Sequence, residues 1–351
     1  MEERKMSQLA RNILAQPDSL SCVLRQQCGD GLPALLRAAT LLRSAKRVLI
    51  TGIGASMFAS IPFEYFLCSL GIDAVVVEAA ELLHYKTHAF HHAVAIVVSR
   101  SGESVEITKL LAGLKGRQPV IGVSNQPASF LPQAADISIH VGSLPDEMVA
   151  IQTYSGTLLA LHLLAQAVTN TLETAKVQIE ALHATYSQLV SVSLNEIEQW
   201  DSFLGAASPL YLLARGPSYA SALEGALLFN EIAKASAMGL SVASFRHGPV
   251  ELVDSTFRGL VFAPQGCTRD LNVALARDLA RFGGRVRLIG PAQEDLCWCN
   301  VPPVPETLAP LFEIVPVQVA ALRMAQLRGI PAGSFRYAPQ VTTDEASFAR
   351  S

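Results

Sequence analysis

Two short clusters of glycine and serine could hold an anion: Gly52-Ile53-Gly54-Ala55-Ser56 and Ser99-Arg100-Ser101-Gly102-Glu103-Ser104. Each follows an apolar run of strand length and opens a stretch with helical spacing. A helix that starts there offers free backbone N–H groups and the positive end of its dipole. Glycine lets backbone come close, the hydroxyls add donors, and Arg100 adds charge. A phosphate monoester is the kind of ligand this chemistry suits. One serine alone would read equally well as a helix N-cap, but two such motifs at two strand ends in one half favour a ligand. Gln152 and Thr153, ahead of the apolar stretch Tyr154 to Val168, offer a third wall to the same crevice. The second half repeats the scheme without the full donor set. YLLARGPS (Tyr211 to Ser218) and GLVFAPQGCT (Gly259 to Thr268) align Gly216 and Ser218 with Gly54 and Ser56, Gly266 with Gly102, and Thr268 with Ser104. Ser99 and Ser101 face Ala263 and Gln265. The chain reads as two copies of one fold, of which one kept an anion site.

A second group could move protons. Glu224, Leu228 and Glu231 are spaced i, i+4, i+7 and so share a helix face. Two carboxylates among leucines suggest groups that are buried or line a cleft, and burial raises a carboxylate toward the pH range where it exchanges protons. His247 follows in Phe-Arg-His-Gly-Pro, where Gly and Pro fix the turn. A carboxylate and a histidine suffice to move a proton between carbons 1 and 2 of a sugar and to assist at its oxygens. Taken alone, each would read as a solvated glutamate or a turn-capping histidine. Beside an anion site, the catalytic reading is the stronger one.

These groups need a scaffold, and the chain's patterning supplies an α/β one. At 351 residues two domains are expected. Continuous apolar runs at Arg47–Thr51, Ala74–Val77, Val94–Ser99, Val120–Val123 and Ile137–Val141 alternate with helical patterns. Leu210–Ala214, Gly259–Ala263 and Val286–Ile289 continue the series. Such runs predict parallel sheets covered on both faces, Rossmann-like and of flavodoxin type. Thr171 to Leu204, free of Gly and Pro, predicts one long helix between the halves, and Gly329 to Ser351 an extended surface tail. Hydrophobic residues make up 50% and charged residues 16%, as large buried surfaces or an oligomer face require. A net charge of −3 gives no basic footprint for nucleic acid. The N-terminus lacks the apolar core of a signal peptide, and no apolar run reaches the ~18 residues of a membrane span. The six cysteines are scattered, as thiols in a reducing compartment are, so a cytoplasmic setting is expected.

The paired strand–glycine–serine motifs, EGAL at Glu224, EI at Glu231 and HGP at His247 resemble the sugar isomerase (SIS) domains of phosphosugar isomerases and deglycases. The resemblance is closest to the isomerase half of glucosamine-6-phosphate synthase. It covers nearly the whole chain from about Ala45, and its SxSGxS element and glutamate-to-HGP spacing are its specific parts. It implies two tandem SIS domains, over 45–190 and 191–351, behind a helical segment at 1–44. By resemblance Ala55, Ser56, Ser99, Arg100, Ser101 and Ser104 take the phosphate-binding positions and Gln152 a further contact, with Glu224 also assigned to substrate. Glu231 takes the place of the proton-transferring glutamate. His247 takes that of the ring-opening histidine, which in the family comes from a neighbouring subunit, so a homodimer or larger assembly is implied. The expected substrate is a hexose 6-phosphate derivative, and the expected reaction is isomerisation, deamination or deglycation, without cofactor or metal.

The departures narrow the expectation. The synthase has a lysine where this chain has Leu228 and another in its tail, where Pro339 and Gln340 stand here. No lysine follows Lys234, so the tail cannot form a Schiff base. No glutamine-hydrolysing domain is recognised ahead of Ala45. Arg100 in the serine loop and Phe-Arg before His247 lean toward the galactosamine/tagatose phosphate branch. Three other readings are weaker. Gly52-x-Gly54 with Glu78 hints at a dinucleotide site, but Met57 stands in place of the third glycine. His84, His88, His91 and His92 with Glu81 could bind a metal, although a histidine-rich stretch is more often a solvated helix end. A non-catalytic phosphosugar sensor or regulatory protein is the alternative of another class, yet a sensor needs neither Glu231 nor His247.

Overall fold

The computed structural model describes residues 6–86, 92–114, 116–206, 208–292 and 298–346. The chain divides into two compact units. The first comprises Gln16–Leu182 and the tail from Phe335. The second comprises His183–Ser334 and the N-terminal stretch through Ala15.

In the first unit five parallel strands, β1 (Arg47–Gly52), β2 (Asp73–Glu78), β3 (Val94–Val98), β4 (Val120–Ser124) and β5 (Ile137–His140), lie in the order β2-β1-β3-β4-β5. Every residue of β3 is buried, as a Val-Ala-Ile-Val-Val run without polar alternation requires when helices cover both faces. Against the sheet lies the helix Val105–Leu114, whose Ile107, Leu110, Leu111 and Leu114 fall at i, i+3, i+4 and i+7 and join Leu49, Ala95 and Val97 in one core. Each such leucine contributes roughly 1.5–3 kcal/mol through burial. In the second unit β6 (Leu210–Ala214), β7 (Ala237–Ser241), β8 (Arg258–Phe262), β9 (Arg285–Gly290) and β10 (Trp298–Asn300) lie in the order β7-β6-β8-β9-β10, again all parallel. That is the first winding repeated. Ile50 stands between Val76 and Ile96 in one sheet, and Leu212 between Gly239 and Leu260 in the other. Two α/β units built on parallel sheets, expected from the alternating runs, are what the chain forms.

Each unit also has one nearly encased helix, Gln152–Val168 in the first and Ala309–Leu327 in the second. Gly225 lets the helix Tyr219–Ala233 seat closely, since a Cβ there would press on Leu212 and, 2.9 Å away, on Val317.

Five features differ from the sequence expectation. β7 is absent from the strand-length runs of the sequence, because Ala-Met-Gly-Leu-Ser carries no β-branched residue; its pairing with β6 makes it a strand. β10 is only three residues long. The long helix ends at Glu196 and continues as a 3-10 turn, Ile197–Trp200, and a short helix, Asp201–Leu204. The segment 1–44 forms the helices Gln8–Leu14, Gln16–Cys28 and Leu32–Ser44 and is divided between the units after Ala15. The tail, grouped by sequence with the second domain, packs on the first. Thr342 O accepts from Val105 N over 3.0 Å, and Glu345 pairs with Lys109 and, over 2.8 Å, with His84. The described part of the tail has no helix or strand of its own, and Thr342 O finds its donor on this surface.

Candidate active site

In the first unit both serine motifs lie at the carboxyl ends of adjacent strands. β1 connects to β2 on one side and β3 leads away on the other, so the turns after β1 and β3 flank the switch point, where open α/β sheets bind ligands. Gly54 has φ 51° and caps the helix Ala55–Ser69 without a side-chain hydrogen bond, so no side-chain acceptor takes that helix's first N–H groups. Ser56 stands in the first turn. Gly102 has φ 68°, and a side chain there would run into Ser129.

The serine hydroxyls divide by role. Ser99, 5% exposed, accepts from Gly102 N over 3.1 Å, and Ser101 accepts from Glu103 N over 3.3 Å. Both build the turn by accepting, which leaves each O–H as a donor. Among the described residues Ser56 and Ser104 have no side-chain partner. Arg100 is anchored, with Nη1 donating to Met148 O over 2.8 Å and Nη2 to Gln340 O over 3.1 Å. Its charge is therefore fixed at the rim of a cavity of about 370 Å³, which Ser101, Asn125, Ser129, Thr153 and Gln340 also line. Ala55, Ser56, Ser99, Ser104 and Gln152 do not line that cavity.

Gln152 begins its helix as expected, but an internal acid already occupies the helix end. Asp146 accepts from the backbone N–H groups of Ile151, Gln152 and Thr153 at 3.0, 3.1 and 2.8 Å, and from Thr153 Oγ1 at 2.7 Å. Gln152 Nε2 donates to Pro145 O over 3.1 Å, while Gln152 Oε1 is buried with no acceptor role filled. Sequence reading passed over Asp146 because it lies outside the helical pattern it caps. Gln340 was noted only as a substitution, although the tail brings it into the cavity wall, where its Nε2 donates to Glu147 O.

In the second unit Glu224 is 1% exposed and Glu231 half-buried on the helix Tyr219–Ala233. Leu228, between them, is fully buried. The helix stops at Lys234 in a left-handed conformation, and Lys234 Nζ donates to the carbonyl of Glu231 and to Ser334 O over 2.6 Å. β7 follows, then the helix Val242–Arg246, capped by the Ser241 hydroxyl and closed by His247, which is exposed. An acid that sequence reading did not weigh is Glu313. It is fully buried, and it accepts from Ser218 and Ser221 hydroxyls at 3.0 Å each. Burial pushes its carboxyl up to about 8, against the lowering effect of those two hydrogen bonds, and the nearby Glu306 charge raises it further.

Of the histidine cluster, His88 and His91 lie outside the described residues, and His84 pairs with Glu345. Among the described residues no group of three or more metal-ligating side chains forms, and no helix is long and apolar enough to cross a membrane.

The two windings define an α/β class with a paired sheet, and the SIS domain family matches it at residues 41–167 and 204–328. This chain belongs to the SIS domain family. A curated relative, the glutamine–fructose-6-phosphate aminotransferase (isomerizing) of Pyrococcus horikoshii, is 30% identical over 305 residues, or 84% of this chain and 51% of the relative. The chain thus spans about half the length of such relatives. Among solved structures, the C-terminal domain of glucosamine-fructose-6-phosphate aminotransferase from Francisella tularensis superposes with a TM-score of 0.84 at 20% identity, covering 94% of this chain and 98% of that one. Glucosamine-6-phosphate deaminase from Thermotoga maritima gives 0.76 at 21% identity, covering 96% and 99%. At these identities the superpositions speak to the fold alone.

Proposed function

We propose that this chain is a cytoplasmic, homodimeric enzyme that binds a hexose 6-phosphate derivative and moves a proton between its first two carbons. The outcome is aldose–ketose isomerisation, or release of nitrogen as ammonia or an amino acid. The observation that carries this is the pair of serine turns at the switch point of the first sheet, with uncommitted hydroxyls at Ser56 and Ser104 and a fixed guanidinium at Arg100. Ser56, Ser99, Ser101 and Ser104 would hold the phosphate with the backbone from Ala55, and Gln152 and Glu224 would support the sugar. Glu231 acts as the base at carbon 2 or carbon 1, and His247 opens the ring or protonates the leaving group. The names of the relatives, an isomerizing aminotransferase and an amino-sugar phosphate deaminase, fit this class of reaction. The chain's own departures argue against the synthase reaction itself. Leu228 is fully buried, and the tail offers Gln340 in place of an amine.

The deciding measurement is exchange with deuterated water of a carbon-1 proton of fructose 6-phosphate or of the carbon-2 proton of glucosamine 6-phosphate. Turnover and exchange are expected in the native protein, with a loss of ~10²–10⁴-fold in Glu231→Gln and little change in binding. Binding without exchange on any hexose 6-phosphate would make the chain a sensor.

A further inference from the structure

The second unit has the same switch point, between β6 and β8, and its own acids stand there. Ser218, the counterpart of Ser56, is committed to Glu313. Glu306 covers the glycine turns. A Cβ built on Gly266, the counterpart of Gly102, would lie 2.5 and 2.6 Å from the two carboxylate oxygens of Glu306, and one on Gly216, the counterpart of Gly54, 3.7 Å from its Oε1. The atom that meets Gly102 in the first unit is the neutral Ser129 hydroxyl. Glu306 is half-buried, and among the described residues no hydrogen bond or ion pair holds its carboxylate. Arg215, immediately before Gly216, has its Nε buried without an acceptor. A carboxylate held by nothing but proximity, and a buried guanidinium nitrogen left unsatisfied one residue before the same turn, are each in a poor resting arrangement. It becomes a good one when an anion with more acceptors than a carboxylate takes the seat and the acid moves out to water.

We propose that the turns after β6 and β8 form a second anion site, for a phosphate group, in which Glu306 is an internal stand-in that the ligand displaces. Arg215 supplies its charge and the backbone around Gly216 and Gly266 its donors. The ligand class follows from the phosphate reading of the first unit, while the seat itself does not depend on it. Native protein would take phosphate there weakly, because Glu306 competes for the place and repels the ligand.

The test counts inorganic phosphate bound per full-length chain by equilibrium dialysis and calorimetry. Glu306→Ala should bind one phosphate more than native protein, at an affinity for that site about tenfold or more above the native one. Arg215→Ala in that background should remove the extra phosphate, and Ser101→Ala with Ser104→Ala should not. Glu306→Gln, which keeps volume and loses charge, gives the same answer if the alanine variant folds poorly. Unchanged stoichiometry in both Glu306 variants, or an extra phosphate that survives Arg215→Ala, overturns the proposal. Loss of phosphate from the serine-loop variant alone bears on the first site only, so the two readings fail separately.

Discussion

Four serines share one loop system, but they are not interchangeable. Ser99 holds the turn together through Gly102 N, so its removal damages the loop whatever the ligand. Ser104, which has no side-chain partner among the described residues, and Ser101, whose one turn bond is the longer and exposed one at 3.3 Å, are the better probes of binding. Glucosamine 6-phosphate at a hundredfold over its dissociation constant should stabilise native protein by ~2.7 kcal/mol. Ser101→Ala with Ser104→Ala should lose most of that response, and Gln265→Ala in the second unit should keep it, as measured by ligand-dependent thermal unfolding. Equal loss in both would move the site out of the first unit. Glu313 makes a prediction of a different kind. Its folded value of about 8 lies above the ordinary carboxylate range, so the folded state holds a proton that the unfolded chain has released. Its contribution is complete below the unfolded value and is lost as pH rises through 8. Denaturant unfolding should show stability declining from about pH 4.5 to 8, and Glu313→Gln should flatten that decline. His162 works in the opposite sense in the first unit, burial lowering it to about 4. Its contribution is present above about 6.5 and lost as pH falls toward 4.

At the scale of elements, helix ends decide what the site can hold. The helix Ala55–Ser69 begins at Gly54 with no side-chain cap, whereas Gln152–Val168 begins under Asp146. The first end is open to a ligand and the second is filled. Asp146→Ala would strip three N–H groups and the Thr153 hydroxyl of their acceptor in a buried setting. It should cost ~2 kcal/mol or more, read as a lowered denaturation midpoint at unchanged slope. A neutral result would mean that solvent replaces the cap and that this end is open too. Strand recognition follows the same logic. β1, β3, β4, β6 and β8 were legible because β-branched and leucine runs fill their length. β7 was not, since its identity comes from its pairing with β6 at the sheet edge rather than from Ala-Met-Gly-Leu-Ser.

For the molecule as a whole, duplication sets the plan and divergence sets the roles. Both sheets wind identically, but the residues at their switch points differ: serine hydroxyls in the first, internal carboxyls in the second. The exposed position of His247 fits a residue that serves a neighbouring copy. Light scattering on the full chain should therefore give a dimer or larger species, and dilution below the dimer's dissociation constant should abolish turnover. A monomer that still turns over substrate would rule out the shared site.

The sequence by itself determined the alternation of strands and helices, the repeat and the position of the serine turns. Hydrophobic periodicity and glycine placement are local signals, readable within a dozen residues. It also determined that no lysine follows Lys234. What only tertiary structure decided is which polar groups already have partners. Gln340 and Glu345 brought back to the first unit from the tail, Glu313 under two serines and Glu306 over two glycine turns are contacts across long stretches of chain, and Asp146 reaches its helix end only through the turn of the loop before it. No periodic pattern encodes them, because burial and pairing depend on what the fold places opposite each group.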